Sequence, residues 1–109
     1  REQCWVAERG GRMVGSILVC DSGENAAQLR LLYVESDARG LGIGEALVGK
    51  AIGFAREAGY DRIWLWTNSD LASARRIYAG SGFTCIAVEM HETFGKPESG
   101  ETWELRFRD

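Results

Sequence analysis

The stretch that decides the fold is Leu29-Arg30-Leu31-Leu32-Tyr33-Val34-Glu35-Ser36-Asp37-Ala38-Arg39-Gly40-Leu41-Gly42-Ile43-Gly44. Its first part, Leu29 to Val34, is mostly apolar and reads as a central strand. From Ala46 to Ala58 the sequence reads as a helix. Ile43, Leu47, Ala51, Ala55 and Ala58 fall near one face, which Val48 and Ile52 widen, and Glu45, Lys50, Arg56 and Glu57 lie elsewhere. A strand, an Arg/Gly loop and a helix make an anion cradle. Free N–H groups at a helix start point at the anion, and the helix dipole favours negative charge there. Glycine permits unusual dihedrals and keeps side chains out of a phosphate's way. Arg39 adds a planar cationic donor. The cradle predicts a ligand that carries a pyrophosphate.

Three loop families bear on that ligand. An NTPase phosphate loop ends in Gly-Lys-Ser/Thr, whereas Gly44 is followed by Glu45 and Ala46, so it is excluded. A dinucleotide fingerprint needs G-x-G-x-x-G. Counted from Gly40 its third glycine falls on Glu45, and counted from Gly42 on Leu47; no second βαβ unit follows. The remaining pattern is R-x-x-G-x-G, on Arg39, Gly42 and Gly44. It resembles the coenzyme A loop of the GNAT family of N-acetyltransferases. A turn that merely caps a helix is the plain alternative. A second motif lies downstream: a strand, Arg62 to Thr67, a helix, Leu71 to Ala79, with Ile77-Tyr78 near its end, then Gly80-Ser81-Gly82-Phe83. It resembles the strand, the Leu/Ile-Tyr pair and the Gly-Phe turn that follow the loop in GNAT proteins. The resemblance is strong from Leu29 to Phe83 and looser from Trp5 to Phe107.

The flanking sequence supplies the other elements. Cys4 to Glu8 and Met13 to Cys20 read as strands joined by a tight turn at Arg9-Gly10-Gly11-Arg12. Asp21 to Asn25 reads as a polar loop and Gln28 to Val34 as the third strand. Gly59 is placed to end the first helix, and Ser69 or Asp70 to cap the second. Phe83 to Met90 reads as a strand, Glu92 to Glu101 as a loop containing Gly95, Pro97 and Gly100, and Thr102 to Arg108 as a strand with Trp103, Leu105 and Phe107 facing in. The order is β-β-β-α-β-α-β-β. It predicts an α/β (α+β) domain over residues 1–109, with a mixed central sheet and a parallel pair around the first helix. The resemblance implies the GNAT fold without its usual N-terminal β-α-α segment, which in that family helps form the acceptor pocket.

A chain of 109 residues, 45% hydrophobic and 27% charged, supports one soluble domain with a modest core. No run approaches a membrane span, and no signal peptide is visible. The first residue is Arg1, so the chain reads as part of a longer product. A net charge of −3 with scattered basic residues argues against a general nucleic-acid binder. Cys4, Cys20 and Cys85 show no metal-ligand spacing; they are expected as reduced, buried thiols in a cytoplasmic protein, and no metal site is predicted. A serine triad would have to pass through His91, the one histidine, and no G-x-S-x-G elbow is present.

The resemblance implies acetyl-CoA as cosubstrate and a primary amine, on a small molecule or a peptide, as acceptor. By resemblance, the backbone of Leu32, Tyr33 and Val34, on a bulged and splayed strand, pairs with the pantetheine arm. The N–H groups of Arg39, Gly40, Leu41, Gly42, Ile43 and Gly44 hold the pyrophosphate, an amide near Val34 serves the thioester oxygen, and Tyr78 protonates the departing thiolate. Ordinary ladder pairing and a core tyrosine are the bland alternatives. An alkyl amine is neutral in only about one molecule in a few thousand at about pH 7, so a base is useful. Glu35, at the end of the central strand, is a candidate base or a solvated carboxylate. Asn68 bonds the pantetheine or caps a helix; Arg75 reaches the phosphates or lies on a solvated face; His91 touches the acceptor or packs at the surface. Trp64, Trp66 and Trp103 are expected in the core.

Direct transfer of an acetyl group to the amine is the expected function. The alternatives are a non-catalytic acyl-CoA sensor and a fragment that forms a homodimer through its late strands. A finer resemblance rests on Leu65-Trp66-Thr67-Asn68-Ser69, Ala74-Arg75-Arg76-Ile77-Tyr78, His91-Glu92-Thr93-Phe94-Gly95 and Trp103-Glu104-Leu105. It is to the acetyltransferase half of bacterial proteins that fuse a MarR-type regulator to a GNAT domain. Any such regulator would lie outside these residues.

Overall fold

Gly10 and Gly11 take φ of 60° and 79°, which closes a two-residue turn between the paired Arg9 and Arg12. This is the turn geometry whose twist suits a hairpin, and glycine adopts it without strain. It joins β1 (Glu2–Arg9) to β2 (Arg12–Gly23). A second two-residue turn, Glu24-Asn25 at φ 55° and 57°, joins β2 to β3 (Ala26–Val34), so both strands run further than the polar composition of residues 21–25 predicts. The computed structural model describes residues 2–35, 40, 42–68, 72–93 and 95–107. The other elements are α1 (Ile43–Glu57), β4 (Arg62–Asn68), α2 (Ala72–Gly80), β5 (Thr84–Thr93) and β6 (Lys96–Arg106). The predicted order is the observed one. Residues 69–71, with the expected helix cap, lie outside the described residues.

The sheet has the order β1-β2-β3-β4-β6-β5. β3 and β4 are parallel and the other described pairs are antiparallel. α1 is the crossover between the parallel strands. It ends where Gly59 takes φ 88°, with the Gly59 N–H donating to Arg56 O and the Tyr60 N–H to Ala55 O, at 3.2 and 3.1 Å. These two bonds satisfy carbonyls the last turn would otherwise leave open. Ala58, expected on the buried face, is the C-cap and is exposed.

Both helices lie on one face of the sheet. Leu47, Val48, Ala51, Ile52 and Ala55 of α1 and Tyr78 of α2 share a core with Ile17, Val19, Leu29, Ile63, Leu65 and Trp103. Alternation along β4 then sends Trp64 and Trp66 to the opposite, helix-free face. Of the three tryptophans expected in the core, only Trp103 is buried there. Trp64 is half-buried, with Nε1 donating to Ser22 Oγ at 2.9 Å, and Trp66 is 42% exposed. The cysteines depart from expectation in the same way. Cys4 is exposed, because its neighbour Trp5 turns toward Phe54 of α1, while Cys20 and Cys85 are half-buried.

Residues 92–101, expected as a loop, are mostly strand. β5 and β6 form a long hairpin whose pairing reaches Thr93 and Lys96, with Gly95 at φ 78° in the turn. Pro97 sits beyond the end of β4, whose pairing with β6 stops at Asn68 and Gly100, so its missing N–H interrupts no ladder on that side. At Gly100 any side chain would collide with the indole of Trp66. Both residues that look like loop punctuation therefore have positional reasons to be in a strand.

Candidate active site

β3 and β4 pair at Ala26 with Arg62, Ala27 with Ile63 and Gln28 with Trp64, and no further. The other edge of β3 is irregular as well. The pairing there steps from Leu18 with Arg30 to Ser16 with Tyr33, so residues 31 and 32 of β3 oppose the single residue Ile17. An extra residue in one strand bends it and raises its twist. β3 parts from β4 after Gln28, a few residues ahead of the bulge, and a cleft of about 400 Å³ lies between them. It is lined by Gln28, Arg30 and Leu32 of β3, Trp66 and Asn68 of β4, and Tyr78 of α2, among others. Its walls include residues from both faces of the sheet.

The end of β3 meets the start of α1. Gly42 is the N-cap, at φ 79° and ψ 11°, with no side-chain cap, and the Ala46 N–H donates to its carbonyl at 3.0 Å. The N–H groups of the first turn, Ile43, Gly44 and Glu45, precede that bond, as in any uncapped helix start. Gly40 and Gly42 have positive φ and open space where a Cβ would stand, so they are glycines for their dihedrals. Gly44 is different. It is buried, and a Cβ on it would lie 2.7 Å from Ile77 Cδ1 and 3.7 Å from Val34 Cγ2. Its size lets α1 settle onto α2, which corrects the idea that every loop glycine clears room for a phosphate. Arg39 and Leu41 lie outside the described residues.

Tyr78 is 5% exposed and packs between Phe83 and Trp103, with ring centroids 5.9 and 6.4 Å away. Burial raises its pKa above the usual 10.0, so the phenol keeps its proton across the neutral range. Asn68 presents a buried Oδ1 that has no hydrogen-bond partner among the described residues. Such an orphan acceptor is costly and calls for a partner. Glu35 follows β3. Its N–H donates to Val14 O at 2.8 Å, and its Oε2 accepts from the Tyr33 hydroxyl at 3.0 Å. Arg75 Nε donates to Glu101 Oε1 at 3.0 Å, and Trp103 Nε1 donates to the same oxygen at 2.9 Å.

The structure therefore brings Leu32, Asn68 and Tyr78 to one cleft; Val34 meets Gly44, and Ile43, the first residue of α1, packs toward Gly15; Tyr33 and Glu35 bond each other, and Arg75 engages Glu101. Sequence reasoning missed Glu101, which is 5% exposed, because it was assigned to a loop. The i, i+2 spacing of Glu101 and Trp103 would place both on one face of a longer strand. It also missed Gln28, Arg30 and Trp66. A charged residue inside an apolar strand run was the available signal for Arg30.

A family model described as "Acetyltransferase (GNAT) family" matches residues 1–83. The chain belongs to this family. Among curated relatives, N-acetyltransferase 8F1 of Rattus norvegicus is 39% identical over 108 residues, which cover 94% of this chain and 49% of the relative. N-acetyltransferase family 8 member 2 of the same species is 42% identical over 84 residues, covering 72% of this chain and 37% of the relative. The chain thus spans about half the length of these relatives, or less. The fold agrees: an acetyltransferase of Bacillus anthracis solved in complex with acetyl coenzyme A superposes with a TM-score of 0.88 at 24% identity, over 97% of this chain and 62% of that one. A mixed sheet whose parallel pair parts just ahead of a bulge is, in this chain, the GNAT fold.

Proposed function

We propose that this GNAT domain moves an acetyl group from acetyl-CoA directly to the primary amine of a small molecule or peptide. One observation carries the reading: a cleft that begins where β3 leaves β4 and is lined by Leu32, Asn68 and Tyr78, while Val34 and Ile77 flank Gly44 in the first turn of the uncapped α1. The N-acetyltransferase names of the relatives and the acetyl coenzyme A in the similar Bacillus anthracis structure support it.

The residues fit such a cosubstrate. The N–H groups of Ile43, Gly44 and Glu45, together with residues from Arg39 to Gly42, would take the diphosphate. The backbone of Leu32, Tyr33 and Val34 would act as the pairing edge for an extended arm. Asn68 Oδ1 would accept an amide N–H from that arm, which satisfies the orphan. When bound, acetyl-CoA supplies an activated thioester. Tyr78, still protonated, donates its proton to the sulfur as the carbon–sulfur bond breaks and the carbon–nitrogen bond forms. Glu35 takes the amine's proton through water, with the Tyr33 hydroxyl holding its carboxylate. Arg75 anchors α2 to β6 through Glu101 in this reading and is not needed for phosphates.

The proposal includes a cytoplasmic setting, favoured by three free thiols, and a MarR-type regulator encoded ahead of the domain. Reading the frame upstream of Arg1 tests the latter. The activity is tested by titrating acetyl-CoA calorimetrically and following thiol release against an amine library. Saturable binding with amine-dependent release is expected. Binding without release for any amine would favour an acyl-CoA sensor, and absence of binding would remove the cradle altogether.

A further inference from the structure

Arg30 is the one charged residue among the described residues that line the cleft. It is exposed and forms no ion pair with any described residue. The other described arginines of the sheet's far half are paired: Arg62 lies 3.0 Å and Arg106 3.5 Å from Glu104, and Arg75 of α2 lies 3.0 Å from Glu101. Arg30 immediately precedes the bulge and, by strand alternation from the buried Leu29, stands on the helix-free face. That is the side opposite α1 and α2. Gln28 stands on the same face two residues earlier, where the cleft begins. Across the cleft is Trp66, whose indole lies on Gly100 and donates through Nε1 to Glu89 Oε1 at 3.2 Å. The ring is therefore held in place. Glu89 itself is on β5, two strands beyond β4, and does not line the cleft.

We infer that the acceptor is an amine that also carries a carboxylate, of the amino-acid kind, and that Arg30 binds that carboxylate from the helix-free face. The inference rests on the acetyltransferase reading and names its substrate class. Two requirements meet at the site. The nitrogen has to arrive uncharged, and a guanidinium beside it repels an ammonium and so favours the neutral amine. A polycationic acceptor gains nothing from such a site. A carboxylate beside the amine is attracted to it, because guanidinium offers parallel N–H donors that match a carboxylate's two oxygens. Gln28 supplies an uncharged donor next to it, and the face of Trp66 offers a platform for the apolar part of the molecule. Lysine side chains, polyamines and aminoglycosides lack the anionic group, and the arrangement disfavours them.

The test uses pairs of amines that differ only by the carboxylate: phenylalanine with phenethylamine, leucine with 3-methylbutylamine, and alanine with ethylamine. Acetyl-CoA-dependent thiol release is measured with the whole chain. The carboxylate-bearing member of at least one pair is expected to have the higher kcat/KM by about 10- to 100-fold, the range of a charge-assisted hydrogen bond. Arg30→Gln should collapse that ratio to within about three-fold, mainly through KM, and Arg30→Lys should keep part of it. The acetyl-CoA Kd of each variant reports the fold and the cradle separately. Equal or better use of the decarboxylated amines, or a ratio unmoved in Arg30→Gln with the acetyl-CoA Kd unchanged, overturns the inference and leaves the transferase reading standing. Loss of acetyl-CoA binding by the parent chain overturns both. If turnover is undetectable while acetyl-CoA binds, N-acetylphenylalanine and N-acetylphenethylamine are titrated into the CoA-saturated protein. Tighter binding of the former that disappears in Arg30→Gln supports the inference, and equal binding overturns it.

Discussion

The two edges of β4 behave in opposite ways. Toward β6 it pairs along its whole length, from Arg62 with Arg106 to Asn68 with Gly100. Toward β3 it pairs for three residues and then parts. One strand is thus fully paired on one side and largely open on the other. The side chains match this division. Glu104 bridges Arg62 and Arg106, and Glu101 joins Arg75 to Trp103, all on the closed side. Asn68 with its unpartnered Oδ1 faces the open side. A ladder already satisfied by hydrogen bonds has little left to offer a ligand, whereas an interrupted one does. Substitutions on the open side should therefore change ligand affinity or turnover, and those on the closed side should change stability.

The largest effect is expected at the mouth of the open side. Gly42→Trp places a bulky residue at φ 79° in the helix cap and should weaken acetyl-CoA binding at least about 100-fold, roughly 3 kcal/mol. An unchanged calorimetric Kd would erase the distinction between the edges. Next is Tyr78→Phe, which should lower kcat about 100-fold while the acetyl-CoA Kd stays within about two-fold. Because burial raises the Tyr78 pKa above 10.0, the parent's alkaline loss of turnover should begin higher than an ordinary phenol would set it. A pH–rate profile that falls at lower pH through a tyrosine-dependent group would assign the acid elsewhere. On the closed side, Glu101→Ala strips the acceptor from Arg75 and from the buried indole N–H of Trp103. Urea unfolding should show a loss of about 1–3 kcal/mol. The smallest change is Ser22→Ala, which removes the bond from Trp64 Nε1. It should cost about 0.5–1.5 kcal/mol with acetyl-CoA affinity untouched; a larger effect on binding than on unfolding would contradict the division.

Most of the fold was legible because its signals are local. Gly10-Gly11 specify a hairpin, Gly59 a helix end, and the apolar stripe of residues 43–55 a crossover helix. The loop glycines and the Ile77-Tyr78 pair led to the right family. What stayed hidden depends on partners distant in sequence. The bulge at residues 31 and 32 exists only relative to Ile17. Pro97 looks like a loop until the end of β4 is known to lie short of it. Trp66 looks like core until both helices are known to occupy the other face, and Arg30 looks like an ordinary strand surface residue until the cleft beside it is seen.

The contact of Gly44 with Ile77 has a further consequence. Ile77 is the residue before Tyr78, so the proposed diphosphate site and the proposed proton donor adjoin one packed contact between α1 and α2. Gln28, Arg30 and Trp66 stand on the other face of the sheet and share only the cleft with Tyr78. In the proposed reading, such a layout lets the acceptor-facing wall change residue by residue while the packing behind Tyr78 is kept.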